Sequence, residues 1–244
     1  MSVVIPAYNE AATIGECLRR VAALELDTEI VVVDDGSTDG TRAALEEAGV
    51  PGVQVLAHEG NRGKGAAVRT GIAATTGAIV LILDADLEYD PDEIPRLIAP
   101  IVEGFADVVY GTRLRGGGHP QRAHLFWHYA GNRFLSLLTN VLYNTTISDM
   151  EVGYKVFRGD LIRSIDLVSD GFGFEPEVTA KILRHRDVRL YELPISYYGR
   201  TYAEGKKVTW RDGAAAVFQL VRFRFGKPSA TLKGSDPSAP RRSG

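Results

Sequence analysis

Cysteine is nearly absent: Cys17 is the only one in 244 residues, which excludes a disulfide framework and a cysteine metal cluster and points to a reducing cytoplasm. Long apolar runs are missing as well. No stretch approaches the ~20 residues of a membrane span, and a strand reading from residue 2 leaves no room for a signal peptide. The expected location is cytoplasmic, soluble or held peripherally on the cytoplasmic membrane face. Nor is there an excess of charge of one sign, since the net charge is −3 and the pI about 6.0. That excludes a broad electrostatic footprint for nucleic acid and makes any basic function local. No internal repeat is present, and the glycine-rich stretch at 60–65 lacks the Walker spacing of a P-loop.

What is present is an alternation of strand and helix patterns. Residues 2–6, 29–33, 53–57, 78–83 and 108–110 read as strands, and 11–23, a segment ending near 48, 66–75 and 91–103 read as helices. This predicts an α/β fold, a Rossmann-like, mostly parallel central sheet flanked by helices, in a single domain. The catalytic domain is expected over 1–226, with 227–244, rich in Pro, Ser, Gly and Arg, a disordered tail.

The pattern is sharpest at Ile79-Val80-Leu81-Ile82-Leu83-Asp84-Ala85-Asp86-Leu87-Glu88-Tyr89-Asp90-Pro91. An unbroken apolar run suits a parallel strand covered on both faces, and ligands of open α/β sheets bind beyond the carboxyl ends of such strands. Asp84 and Asp86 stand at that end. Two carboxylates one residue apart repel unless a cation lies between them, and hard oxygen ligands suit Mg2+ or Mn2+ that also carries phosphate. The plainer alternative is an acidic loop in which Asp90 caps the helix that Pro91 opens and Glu93 joins from its third position. Asp34-Asp35-Gly36-Ser37 at the second strand tip can accept from a base or ribose, or serve only as turn and cap. Lys64 and the amides of 60–65 can face phosphate.

From Leu114 the pattern changes. A glycine-rich loop at 115–120 is followed by a long apolar helix over 125–143, whose Trp127, Phe134, Leu135, Leu138, Val141 and Leu142 are expected in the core, or against a lipid. An acidic turn and strand follow at 147–157, a helix from 171 to about 185, and a strand at 188–194. A basic loop spans 200–207. The helix at 209–225 gathers Trp210, Ala214, Val217, Phe218, Val221 and Phe225 beside arginines, which suits either packing onto the sheet or an anionic membrane.

Taken together, Pro6-Ala7-Tyr8-Asn9-Glu10, Asp34-Asp35-Gly36-Ser37, Gly63-Lys64-Gly65, Asp84-Ala85-Asp86, Gly111-Thr112-Arg113, Asp149 to Lys155, and Arg200 with Gly205-Lys206-Lys207 resemble the family 2 glycosyltransferases of the GT-A fold. Within them the chain is most similar to polyprenyl-phosphate sugar synthases of the dolichol-phosphate mannose type. The resemblance implies that Pro6, Tyr8, Glu10, Val33 and Asp35 hold the donor nucleoside. It further implies that Asp84, Ala85 and Asp86 meet the diphosphate and its metal, with Glu88 a further ligand, and that Arg113, Arg200 and Lys206 face donor or acceptor phosphates. Two departures stand out. Glu88 replaces the usual Gln, and His124 and His128 stand where an acceptor-phosphate Arg and Ser are usual, with Arg122 or Arg133 as substitutes. The spanning extension of some relatives is also lacking.

The expected reaction is inverting transfer of a hexose from a nucleotide diphosphate sugar, such as GDP-mannose, to polyprenyl phosphate. Asp86, Arg113 and Asp149 are the catalytic candidates. Asp149 would serve as base for a hydroxyl acceptor, or else would hold Lys155 or an arginine in place. The alternatives are a glycosyltransferase acting on a glycan hydroxyl, a sugar nucleotidyltransferase and a noncatalytic nucleotide-sugar binding module.

Overall fold

The structure is a computed structural model and describes residues 1–114, 126–185, 187–199 and 210–226. The expected loop at 115–120, Arg122, His124, Arg200, Lys206 and the tail at 227–244 lie outside the described residues, as does the side chain of Trp210.

The first half alternates as its periodicity dictates: β1 Ser2–Ala7, α1 Ile14–Ala22, β2 Glu29–Asp34, α2 Thr41–Ala48, β3 Val53–Ala57, α3 Lys64–Ala74 and β4 Ile79–Ile82. α1 starts later than expected because the Glu10 carbonyl first accepts from Thr13 N (3.1 Å) and Ile14 N (3.0 Å), closing a turn. The helix expected at 91–103 divides into a 3-10 turn, Pro91–Glu93, and α4 Ile94–Val102. Asp90 does cap it, accepting from Asp92 N at 3.0 Å, while the Glu93 carboxylate accepts from Ser196 N and Oγ.

The second half holds β5 Val108–Thr112, α5 Phe126–Tyr143, β6 Lys155–Arg158, α6 Gly159–Ser164, α7 Phe174–Leu183, β7 Leu190–Pro194 and α8 Trp210–Phe225. One seven-stranded sheet runs β3-β2-β1-β4-β6-β5-β7. Every pair is parallel except those of β6, which lies antiparallel between β4 and β5. Its insertion was not visible in the alternation, and neither was α6.

β1, β2 and β4 are almost wholly buried, with helices on both faces. Val33, expected at the donor, is fully buried in a cluster with Val31 and Ala67 of α3; its side chain is core, because alternation along β2 turns it onto that helix. For α5 and α8 the sequence leaves burial and an outward apolar face both open. They bury Leu135, Ala216 and Leu220, whereas Trp127, Phe134, Val141, Phe218, Val221 and Phe225 are exposed. Among the described residues no helix is long and apolar enough to cross a membrane.

Candidate active site

The carboxyl ends of β1, β2 and β4 converge with the turn that precedes β6. The β1 and β2 turns are stapled together: Asn9 N donates to Ser37 Oγ (3.0 Å) and Thr38 N to Asn9 Oδ1 (2.9 Å). Glu10 N donates to Thr41 Oγ1 at 2.9 Å. Pro6 within β1, and Tyr8 and Glu10 in the turn after it, are half-buried.

Asp34 and Asp35 both turn inward. Asp34 accepts from Ser37 N (3.0 Å) and Arg42 Nε (2.7 Å). Asp35 faces His58 Nδ1 at 2.6 Å and accepts from Arg62 N at 2.9 Å and Gly63 N at 2.7 Å. Its carboxylate, expected at the nucleoside, therefore fixes the 58–63 segment. Gly63 has φ +95, a backbone state open to glycine at little cost, and Lys64 follows it as the first residue of α3. Asp35 thus fixes where Lys64 emerges.

Lys64 Nζ reaches Asp84 Oδ1 at 2.8 Å and Glu175 Oε1 at 2.9 Å. Burial alone would lower this amine, but the Asp84 and Glu175 charges override it and hold it well above its usual range. Behind this pair lies Gly153, where any side chain would collide with Asp84 and come 3.2 Å from Lys64 Nζ. Glycine here lets the backbone close directly on the carboxylate. Ala85 is buried, and Asp86 Oδ1 accepts from Glu88 N at 3.1 Å. Glu88, expected as a further metal ligand, accepts from the Tyr197 hydroxyl at 2.8 Å.

Arg113 and Asp149 form the opposite side. Asp149 is fully buried, and its Oδ2 accepts from Arg113 N (3.0 Å) and Nε (2.8 Å) while its Oδ1 accepts from Arg113 Nη2 (2.8 Å) and Asn132 Nδ2 (2.7 Å). Burial would raise the carboxyl; the Arg113 charge and these bonds outweigh it and hold Asp149 below the usual carboxylate range. Glu192 Oε1 fixes the same turn through Ser148 N (2.7 Å) and Asp149 N (3.2 Å). Arg113 also lies over the Tyr197 ring, 5.1 Å from its centroid, a cation-π contact. Of the two structural partners expected for Asp149, an arginine is the one it holds. Lys155 instead donates to the carbonyls of Met150 and Val152 and sits 4.7 Å above the Tyr110 ring.

Sequence reasoning missed Glu175, Glu151, Asn132, Glu192 and Tyr197. Glu151 Oε1 and Glu175 Oε2 are buried with no hydrogen-bond partner. Burial, reinforced by the Glu175 charge, pushes the Glu151 carboxyl up to about 8. The available signal was the pair of acids within Gly171-Phe172-Gly173-Phe174-Glu175-Pro176-Glu177, whose apolar flanks imply burial.

The donor chemistry at the β4 tip fits a hard divalent cation: two carboxylates, with the Asp84 side chain 20% exposed and so reachable from solvent. Among the described residues no group of three His, Cys, Asp or Glu side chains is arranged to hold a metal. A cation here would take oxygens from Asp84 and Asp86 and complete its shell with diphosphate and water.

This sheet order, with an acidic pair at the β4 tip, is that of the GT-A class of glycosyltransferases. Residues 2–165 match the family model described as glycosyl transferase family 2, and the chain belongs to that family. The low-salt glycan biosynthesis hexosyltransferase of Haloferax volcanii is 32% identical over 95% of this chain, which spans 56% of that protein's length. The undecaprenyl-phosphate mannosyltransferase of Micrococcus luteus is 32% identical, with 91% of this chain and 98% of that one covered. Among solved structures, glucosyl-3-phosphoglycerate synthase from Mycobacterium tuberculosis, in complex with Mn2+ and uridine-diphosphate-glucose, superposes with a TM-score of 0.73. It is 22% identical, covers 94% of this chain and 80% of its own, and shares the fold.

Proposed function

We propose that this glycosyltransferase moves a hexose, mannose- or glucose-like, from a nucleotide diphosphate sugar to polyprenyl phosphate with inversion at the anomeric carbon. The observation that carries this reading is the Arg113–Asp149 pair. A guanidinium gripped at Nε and Nη2 by a buried carboxylate is a preorganised cation, suited to orienting an anionic acceptor. Arg113 lies over the Tyr197 ring, which is 5.7 Å from the Tyr89 ring, and the Tyr89 hydroxyl accepts from Gly153 N, whose backbone closes on Asp84, so two tyrosines join this pair to the β4 tip. The M. luteus relative, matched over nearly its whole length and named for undecaprenyl phosphate, supports the same acceptor.

In the transfer, a phosphate oxygen of the acceptor attacks the anomeric carbon as the bond from that carbon to the diphosphate oxygen breaks. No proton has to move, because the phosphate is already an anion near neutral pH. Mg2+ or Mn2+ carried by Asp84 and Asp86 would supply Lewis-acid stabilisation of the departing diphosphate. Lys64 brings a further positive charge to that point. Pro6, Tyr8 and Glu10 would line the nucleoside, Asp35 would act on it by fixing the 58–63 segment, and Arg200 and Lys206 would close on phosphates. Asp149, with four donors on its two oxygens, serves as the holder of Arg113 and not as a base. A polyprenyl acceptor resides in a membrane, so the enzyme would work as a peripheral protein on the cytoplasmic face. The test is release of nucleoside diphosphate from GDP-mannose, UDP-glucose and related donors, with and without polyprenyl phosphate.

A further inference from the structure

Glu88 stands between two parts of the site. On one side its N donates to Asp86 Oδ1 at 3.1 Å, which ties it to the β4 tip. On the other its carbonyl accepts from Tyr198 N at 2.9 Å and its carboxylate accepts from the Tyr197 hydroxyl at 2.8 Å. Backbone and side chain alike thus engage the segment that follows β7. Leu87, between Asp86 and Glu88, carries the turn that makes this possible. Its φ of +57 is a left-handed state that costs any residue with a Cβ, and such states gather where function holds them in place.

Tyr197 is buried and tightly placed. Its ring lies 5.7 Å from that of Tyr89, which lies 5.3 Å from that of Tyr154. The backbone at Gly199 passes so close that a Cβ there would come within 2.5 Å of the Tyr197 ring. The Arg113 guanidinium sits over the same ring, 5.1 Å from its centroid, while Asp149 grips it at Nε and Nη2. A guanidinium held along one edge and covered on one face keeps a single plane, and its planar donors match phosphate only in the right plane. A phenol that donates to a carboxylate is polarised by that bond, which strengthens the pull of its ring on the cation above it. A cation that drew the Glu88 carboxylate towards Asp86 would break the Tyr197 bond and undo this arrangement.

We propose that Glu88 is a positioning residue for the acceptor: acting through Tyr197, it sets the plane in which Arg113 receives an anion, and it is not a metal ligand. The proposal rests on the polyprenyl-phosphate reading for its purpose, while the relay from Glu88 to Arg113 is present with no substrate bound.

The test uses the full chain and the variants Glu88→Ala, Glu88→Gln and Tyr197→Phe. The Nε–H resonance of Arg113, assigned by its loss in Arg113→Lys, reports the ring above it by nuclear magnetic resonance and needs no substrate. It should move in Glu88→Ala and Tyr197→Phe and stay in place in Glu88→Gln, whose amide oxygen still accepts from the phenol. Tyr197→Phe removes a single oxygen, so it keeps the test decisive where Glu88→Ala lowers the melt. With a short-chain polyprenyl phosphate, the acceptor KM should rise about tenfold in Glu88→Ala and in Tyr197→Phe, the scale of one hydrogen bond, with kcat and the donor KM nearly unchanged. The double variant should be no worse than either single one, and Glu88→Gln should recover the wild-type KM. Mn2+ affinity without nucleotide, read by electron paramagnetic resonance, should be the same in Glu88→Ala as in wild type. Weaker Mn2+ binding by Glu88→Ala, an Arg113 resonance that does not move, or additive losses in the double variant each overturns the proposal. The expected resonance shifts in an enzyme that transfers nothing to polyprenyl phosphate would keep the relay and remove the proposed function; transfer to that acceptor with an unmoved resonance would do the reverse.

Discussion

Lys64 grips both oxygens of Asp84, its Nζ lying 2.8 Å from Oδ1 and 2.9 Å from Oδ2. An ammonium so placed occupies the point at which a divalent cation would approach Asp84. Lys64→Met should therefore tighten Mn2+ binding in the absence of nucleotide, by about tenfold for the loss of one neighbouring positive charge, while slowing transfer. Mn2+ titration followed by electron paramagnetic resonance measures the first effect. Unchanged affinity would mean that Lys64 and the metal do not compete.

Asp86 stands at the strand tip, and Glu88 N bonds to its carboxylate. Asp86→Asn keeps an acceptor for that bond and removes the charge. Metal-dependent transfer should fall about 10²-fold or more, the scale on which a single electrostatic stabiliser acts, with an unchanged melt. Full activity of the wild-type enzyme in excess chelator would contradict the metal reading.

Asp149 and Arg113 bind each other in a buried, bidentate pair. Removing one partner strands the other, so Asp149→Ala should cost about 3–5 kcal/mol in stability, read by denaturant unfolding. The folded Asp149 carboxyl lies below its ordinary 3.8. Its contribution is thus present above that value and is lost as pH falls through the lower folded one. Asp149→Asn should be less stable than wild type near neutral pH and show a smaller fall in Tm on the acid side, because it lacks the group whose protonation drives that fall, and the transfer rate should show no rising limb due to Asp149 acting as a base.

Glu151 titrates the other way. Its ordinary value of 4.5 is pushed up to about 8, first by burial and then by the Glu175 charge. The native state therefore holds a proton the unfolded chain releases, and the stability that proton provides is lost as pH rises from about 4.5 through 8. Glu151→Gln should flatten the fall in Tm across that window. An identical pH dependence in wild type and variant would contradict the neutral, buried carboxyl.

How far the sequence revealed all this depends on the range of the interactions. The strand-tip acids Asp84 and Asp86 were legible because strand, turn and acid are contiguous, and β1 to β4 because apolar periodicity is local. β6 was illegible as an antiparallel insertion: four residues carry no mark of the strands they will join. The Arg113–Asp149 pair joins positions 36 apart, and Lys64 meets Glu175 across the fold. Side chains that look solvated in a linear reading become buried partners only once the sheet brings their turns together. α5 was legible only in part. Its periodicity disclosed an apolar face but not its direction, and Asn132, Ser136 and Thr139 took the inward one.

The most direct test is to offer the enzyme, with Mg2+ or Mn2+ and a panel of nucleotide sugars, a polyprenyl phosphate and the corresponding dephosphorylated alcohol, and to measure nucleoside diphosphate release and product. Transfer to the phosphate alone, lost in Arg113→Ala, is the expected result. Transfer to the alcohol and not the phosphate would contradict the account, since an enzyme that positions an anion with Arg113 has no use for a hydroxyl.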